Sequence, residues 1–418
     1  MRSSSDNIKH DPFAALKIKE FLFFLSTRFF LTLAIQMQGV IIGWQVYDYT
    51  KDVLTLGLVG LTEAIPFIFV SLFSGHVADT FNRKHILILF ISTLIICTIT
   101  LLYFTLDSSS IIKNYGVMPI FIVVIGIGFI RGFLAAALSP FLSQIVPREL
   151  YTNASTWSST IWHTASVIGL PIAGFLCTIN FSVAYEVNII LIIISIISLL
   201  FIRSKPIPKK EKMESLMESL TAGIKFVAHH QLILGALSLD LFAVLFGGAV
   251  AMIPAFADKI LHVGLVERGF LTAAPALGAM IIAMVIAYFP PTKNAGRNLL
   301  VSVAGFGIAT ILFGISNNYY LSLFFLFLTG AFDSVSVVLR QTILQLSTPD
   351  NMRGRVSAVN SIFIGSSNEI GAFESGLAAR SLGLKASVVF GGIITVLIVA
   401  ATAKVAPQLR KLNLDTIK

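Results

Sequence analysis

Charge is scarce in this chain of 418 residues: 12% are Asp, Glu, Lys or Arg, against 56% apolar residues and a mean hydropathy of +0.87. A soluble domain needs roughly a quarter of its residues charged to cover its surface, so a water-soluble globule is excluded. Cysteine is almost absent. Cys97 and Cys177 stand in apolar runs without metal-ligand spacing, which argues against a disulfide framework, a metal site and redox chemistry. The sequence also lacks a Gly-x-x-x-x-Gly-Lys-Ser/Thr phosphate loop, a His-Glu-x-x-His zinc motif and a Gly-x-Ser-x-Gly elbow. An ATP-driven pump and the common hydrolases are thereby excluded, and the chain is expected to be no enzyme and to hold no cofactor. No loop exceeds roughly thirty residues, too short for a soluble recognition domain, which disfavours a receptor or scaffold.

What is present is a series of long apolar runs. They are continuous rather than short and alternating, so spanning helices, not a β-barrel, satisfy the backbone in lipid. Runs able to cross ~30 Å of hydrocarbon fall at residues 21–48, 54–79, 84–106, 117–141, 152–178 and 183–202. A second six follows at 231–256, 265–289, 298–316, 319–346, 355–380 and 384–404. The expected fold is an all-α membrane protein of twelve transmembrane helices in two pseudo-symmetric bundles, 21–202 and 231–404. Residues 203–230 are a charged, proline-broken linker, and 1–20 and 405–418 are tails.

Lys and Arg set the orientation. With both ends on one side, 21 of the 30 fall on that side, five (Lys51, Lys113, Lys259, Arg380, Lys385) on the other, and Arg28, Arg131, Arg268 and Arg340 in or at the ends of spans. The basic side faces the cytoplasm, so both termini are expected there, and the first twenty residues read as a cytoplasmic tail rather than a signal peptide. The same asymmetry accounts for the net charge of +9 without nucleic acid as a partner. A weak repeat supports two halves: Gln144-Ile-Val-Pro147-Arg148-Glu149 after the fourth span and Gln345-Leu-Ser-Thr-Pro349-Asp350 after the tenth. Parallel six-helix repeats of this kind place a binding site between them.

An ionisable side chain in mid-span costs on the order of 3 kcal/mol on insertion scales, so each one is a functional candidate. Six qualify: Glu63, Arg131, Asp240, Asp333, Glu369 and Glu374. A buried acid exchanges a proton near neutral pH, and a nearby arginine opposes that. Arg131 is expected to be the fixed charge, with Glu63 or Asp333 as the acid that titrates; the competing reading is static pairs tying helices together. His163 beside Trp162 reads as a packing residue. Gln36, Gln38, Trp44, Asn360 and several phenylalanines are candidates to line the cavity, which would suit an amphipathic solute.

Gly75-His-Val-Ala-Asp79-Thr-Phe-Asn-Arg83-Lys84 joins the second and third spans. Asp79 stands where it could reach Arg355 and the positive N-terminal end of the eleventh span, making a conformational latch of Gly75, Asp79, Arg83, Lys84 and Arg355 worth about 1–3 kcal/mol. Gly169, Pro171 and Gly174 in the fifth span form a candidate hinge.

The Gly75 to Lys84 loop resembles the signature loop of the major facilitator superfamily. Further strings, Gly57-Leu-Val-Gly-Leu-Thr-Glu63-Ala-Ile-Pro66, Val146-Pro-Arg148-Glu-Leu150 and Arg353-Gly-Arg355-Val-Ser-Ala-Val-Asn360, are similar to its bacterial branch of enterobactin exporters and drug-efflux proteins. The resemblance implies a secondary transporter of the bacterial inner membrane; no zipper or dimer-specific segment stands out, so a monomer is expected. It would export a siderophore-like or drug-like small molecule by proton antiport and alternating access, with a proton-coupled uptake permease as the alternative. Its partners would be the bilayer, the small-molecule substrate and protons. Two departures stand out: Leu170 replaces the glycine that precedes proline in the export-associated pattern, and the second-half copy of the loop, near Pro290 to Arg297, lacks its acid.

Overall fold

The computed structural model describes residues 13–106, 110–206, 216–247, 249–288, 291, 293–349 and 352–413. Residues 1–12, 207–215 and 414–418 of the expected tails and linker lie outside the described residues.

Among the described residues twelve long helices are present, the first six being α1 (Lys19–Thr50), α2 (Val53–Thr80), α3 (Arg83–Thr105), α4 (Met118–Ile145), α5 (Tyr151–Ile179) and α6 (Phe181–Leu200). The second set is α7 (Gln231–Phe246), α8 (Leu265–Tyr288), α9 (Ala295–Ile315), α10 (Tyr319–Ser347), α11 (Arg353–Leu382) and α12 (Leu384–Val405). Among the described residues eleven helical spans are long and apolar enough to cross a bilayer, the seventh only when α7 is taken together with the short helices that follow it to Leu261. The twelfth, α11, is 30 residues long and carries much of the chain's polar inventory, Arg353, Arg355, Asn360, Asn368, Glu369 and Glu374 among them. It packs against α2, α7, α12 and the short linker helix Leu216–His229, so protein rather than lipid covers much of it.

Asx residues restart the helices after tight connections. Asp52 accepts from Leu54 N and Thr55 N, Asn82 from Lys84 N and His85 N, and Asn318 from Tyr320 N and Leu321 N, occupying N–H groups that have no partner in the first helical turn. Burial alone would raise the Asp52 carboxyl. The hydrogen bonds from Thr55 and Leu54 and the charge of Arg380 outweigh it and hold the group below the usual aspartate value. Gly383, at φ +88°, is the single residue between α11 and α12, a left-handed position that a side chain would strain.

The packing repeats itself. In the first half α1 packs on α5 and α6, α2 on α4, and α3 on α4 and α6; in the second half α7 packs on α11 and α12, α8 on α10, and α9 on α10 and α12. Adding six to each label converts one set into the other, which is the pseudo-two-fold relation. The halves meet through two reciprocal pairs, α2 with α11 and α5 with α8. One departure falls in the seventh span, expected to run unbroken over 231–256. The helix stops at Phe246, and the chain continues through a 3-10 turn, Ala249–Met252, and the short helix Ile253–Phe256. There the glycines of its neighbours come close: a Cβ on Gly371 of α11 would press on Leu245 O, and one on Gly391 of α12 would overlap Phe246 O.

Both described ends of the chain lie at one end of the bundle. Ala15 N bonds Asn153 Oδ1 at the start of α5, and Gly296 N at the start of α9 bonds Leu412 O. We refer to this end as the terminal face and to the opposite end as the far face.

Candidate functional site

A cavity of about 360 Å³ opens among α1, α4 and α5, with Arg28, Thr32, Gln36, Arg131, Ser139 and Trp162 in its wall. Its size falls in the range of small-molecule sites, which combine apolar walls with a few placed polar groups. Along α1 it runs from Gln36, near mid-helix, to Arg28, nine residues past the helix start at the terminal face.

Arg131 Nη1 donates to Glu63 Oε1, an ion pair between α4 and α2. The approach of these helices rests on missing side chains. A Cβ on Gly128 would overlap the Glu63 carbonyl oxygen, and one on Gly132 would sit 2.7 Å from Val70 Cγ1. The four-residue spacing puts both glycines on one helical face, so α2 can come close enough for the pair to form.

The second half holds a different cluster. Arg340 of α10 pairs with Asp240 of α7, both side chains buried. Asp240 also borders a chamber of about 10 Å³ with Asp333 and Ser336, room for about one water. Ser336 is buried, and its Oγ has no hydrogen-bond partner. Thus the structure brings Glu63 to Arg131, and Asp333 to Asp240, but does not bring Asp333 to Arg131. Glu374 is half-buried on α11, next to the contact of Phe373 and Gly376 with Gly57. The Glu369 side chain lies outside the described residues.

Polar contacts between the halves gather at the far face. Arg268 of α8, 4% exposed, reaches Asp48 of α1 at 3.1 Å and lies over the rings of Trp44 and Tyr47, with its Cζ 5.3 and 5.9 Å from the ring centres. Beside it Tyr47 donates to Asp258 (3.1 Å), and Lys259 donates to Lys51 O (3.1 Å). Tyr47, Val53 and Leu56 are buried in one apolar cluster with Phe256, Leu271, Phe313 and Ala379 of the second half. Glycines permit this closure: a Cβ on Gly57 would lie 2.7 Å from Ala372 O, and one on Gly174 would lie 2.8 Å from Gly269 Cα.

In the Gly75 to Lys84 loop, the basic residues act within the first half. Arg83 is buried, donating to Ala78 O (3.1 Å), Pro140 O (3.2 Å) and Asp79 (2.7 Å). Lys84 donates to Leu200 O (3.1 Å) and Ile202 O (2.5 Å), where it caps the C-terminal end of α6. Gly75 lies one turn before Asp79 on α2. Arg355 stands at the start of α11, its Nη1 3.6 Å from Met352 Sδ, and its carbonyl lies against Gly223 of the linker helix. The three hinge residues lie in an unbroken α5: Gly169 faces Leu33 and Gln36 of α1, Gly174 faces α8, and Pro171 sits between them.

Of the lining residues expected from the sequence, Gln36 is in the cavity wall. Gln38 is buried against Thr98 at 3.0 Å, and Trp44 lies beneath Arg268. Arg28, Asp48, Arg268 and Arg340 were not among the sequence candidates. The available signal was their place in or at the ends of apolar spans.

A family model described as transmembrane secretion effector matches residues 10–417. The enterobactin exporter EntS of Shigella flexneri is 27% identical over 335 residues, covering 79% of this chain and 78% of its own, and EntS of Escherichia coli O1:K1 / APEC matches to the same extent. Among solved structures, a bacterial homolog of the human lysosomal transporter Spinster, described as inward-facing and unoccupied, aligns at a TM-score of 0.67 and 14% identity, covering 96% of this chain and 98% of its own. The nucleoside transporter NupG aligns at 0.71 and 13% (92% and 99% covered), and a D-xylose-proton symporter at 0.70 and 12% (94% and 99%).

Proposed function

We propose that this chain, which belongs to the transmembrane secretion effector family of the major facilitator superfamily, is an alternating-access exporter that moves a small organic molecule outward against protons. The observation that carries the reading is the pair of reciprocal contacts between halves, α2 with α11 and α5 with α8, closed at the far face by Arg268 and Asp48 while the first-half cavity reaches toward the terminal face. With the basic terminal face in the cytoplasm of a bacterial inner membrane, this is the inward-facing, loading state.

The charges divide the work. Glu63 of α2 neutralises Arg131 of the cavity wall, and Arg340 neutralises Asp240. Asp333 borders a one-water chamber and makes no ion pair among the described residues, so it is the acid that takes up and gives back the proton. In a chamber with room for about one water a lone carboxylate is costly in its charged form, and rocking of the halves would alter its access to water. Asp79, held by Arg83 in this state, crosses to the N-terminal end of α11 when the terminal face closes. The loop thus favours the outward-facing state.

Inverted inner-membrane vesicles with an acid lumen, loaded with a pH-quenched amine dye, test direction and coupling together. An exporter working by antiport releases lumenal protons and restores fluorescence when its substrate is added outside. A proton symporter carries protons inward with the substrate and deepens the quench, which would replace the export reading with the uptake one.

A further inference from the structure

The cavity wall holds two guanidinium groups and, among the described residues that line it, no acid; one of the two draws a counter-charge from α2 behind the wall. Arg131 is matched by Glu63, whereas Arg28 makes no ion pair among the described residues, and its buried Nε has no hydrogen-bond partner. His163, one helical position past Trp162, lies within electrostatic reach of Arg28 and adds no negative charge. A guanidinium held partly out of water without a counter-charge is expensive, and a cavity that keeps one gains by binding an anion. The rest of the wall, Leu31, Ile35, Leu134 and Leu138 with the ring of Trp162, suits an apolar or aromatic body.

We infer that the substrate is an organic anion with an aromatic or apolar body, docked by its acidic group on Arg28. The inference rests on the transport reading above and adds a reason for its direction. In a membrane whose cytoplasmic side is negative, the potential itself pushes an anion outward, by a factor of about fifty per 100 mV for one charge.

Three matched probes test the inference: 4-nitrobenzenesulfonate, 4-nitrobenzyl alcohol and 4-nitrobenzyltrimethylammonium, carrying negative, zero and positive charge on one quenching ring. The chain has three tryptophans, and Trp162 is in the wall, so probe binding to the purified protein is read as tryptophan quenching that is lost in Trp162→Phe. The sulfonate is expected to bind at least tenfold more tightly than the alcohol, and the cation least. Arg28→Gln should erase the sulfonate's advantage without changing the alcohol, and Arg28→Lys should keep part of it, with thermal melting to check that each variant folds. Equal binding of all three probes, preference for the cation, or an unchanged advantage in folded Arg28→Gln would overturn the anion assignment and leave the transporter reading standing. Sulfonate binding with no potential-driven uptake into inverted vesicles would instead count against transport while leaving the docking site in place.

Discussion

The Asp48–Arg268 pair is where a single atom exchange should move a whole half of the molecule. Arg268 is 4% exposed, and Asp48 is partly open to solvent at 22%. Removing one partner of a fully buried pair costs about 3–5 kcal/mol, because the other charge stays buried alone. Here the partial exposure of Asp48 and the rings of Trp44 and Tyr47 behind the guanidinium reduce that to about 2 kcal/mol. Since Asp48 and Arg268 belong to different halves, the loss falls on the far-closed state alone. Two kcal/mol shifts the equilibrium between far-closed and far-open states roughly thirtyfold. The assay is a spin-label distance across the far face, with labels at Tyr115→Cys beside α4 and Tyr320→Cys at the start of α10. Both positions are exposed and belong to opposite halves, and Cys97 and Cys177 are replaced by alanine. Asp48→Asn should add a longer-distance population, and Asp48→Glu should add less of it. An unchanged distance distribution in well-folded Asp48→Asn protein would refute the reasoning, leaving the pair as a surface contact with no hold on conformation.

Three further outcomes are expected. Arg131→Ala leaves Glu63 unmatched in the span and should abolish driven efflux while the protein still inserts, whereas Arg131→Lys keeps the charge and part of the flux; vesicle assays with membrane-fraction blots check both. Asp240→Asn leaves Arg340 buried alone and should cost about 3–5 kcal/mol, seen as a lower melting temperature, and Asp240→Asn with Arg340→Met should recover much of it. Asp52, whose carboxyl is held low in the folded protein, contributes stability above its unfolded value that fades as pH falls through the lower folded one. Melting curves of wild type and Asp52→Asn should therefore converge in acid and separate toward neutral pH.

The twelve helices were legible because crossing hydrocarbon demands length and apolarity, and both are written in the residues. The break after Phe246 was missed although Gly247-Gly248, a pair that punctuates helices, stands at it, because the apolar run continues on both sides. Ala249 to Phe256 is as apolar as a helix, and the turn arises where α11 and α12 press on the chain. Glu63 and Arg131 were found as candidates because a mid-span charge is costly wherever it points, but the same argument gave Asp333 equal standing with Glu63. Hydropathy measures the cost of burial and says nothing of which helix a side chain faces, so only the packing separates Asp333 from Arg131. Arg28 escaped notice for a related reason: nine residues into its helix, its depth also fits an arginine that snorkels to the membrane surface. Arg83 and Lys84 were grouped with Asp79 in the latch; in this structure they bond to Pro140 O and to the end of α6. Lys and Arg at a helix junction satisfy nearby carbonyls first.

The most direct measurement is coupled flux in liposomes holding only the purified protein and a lumenal pH dye, with 4-nitrobenzenesulfonate imposed as an outward or inward gradient. Sulfonate leaving the lumen should draw protons in, sulfonate moving inward should drive them out, and Asp333→Asn should remove the proton signal. Sulfonate flux with no proton movement, or with protons moving in the same direction, would contradict the account.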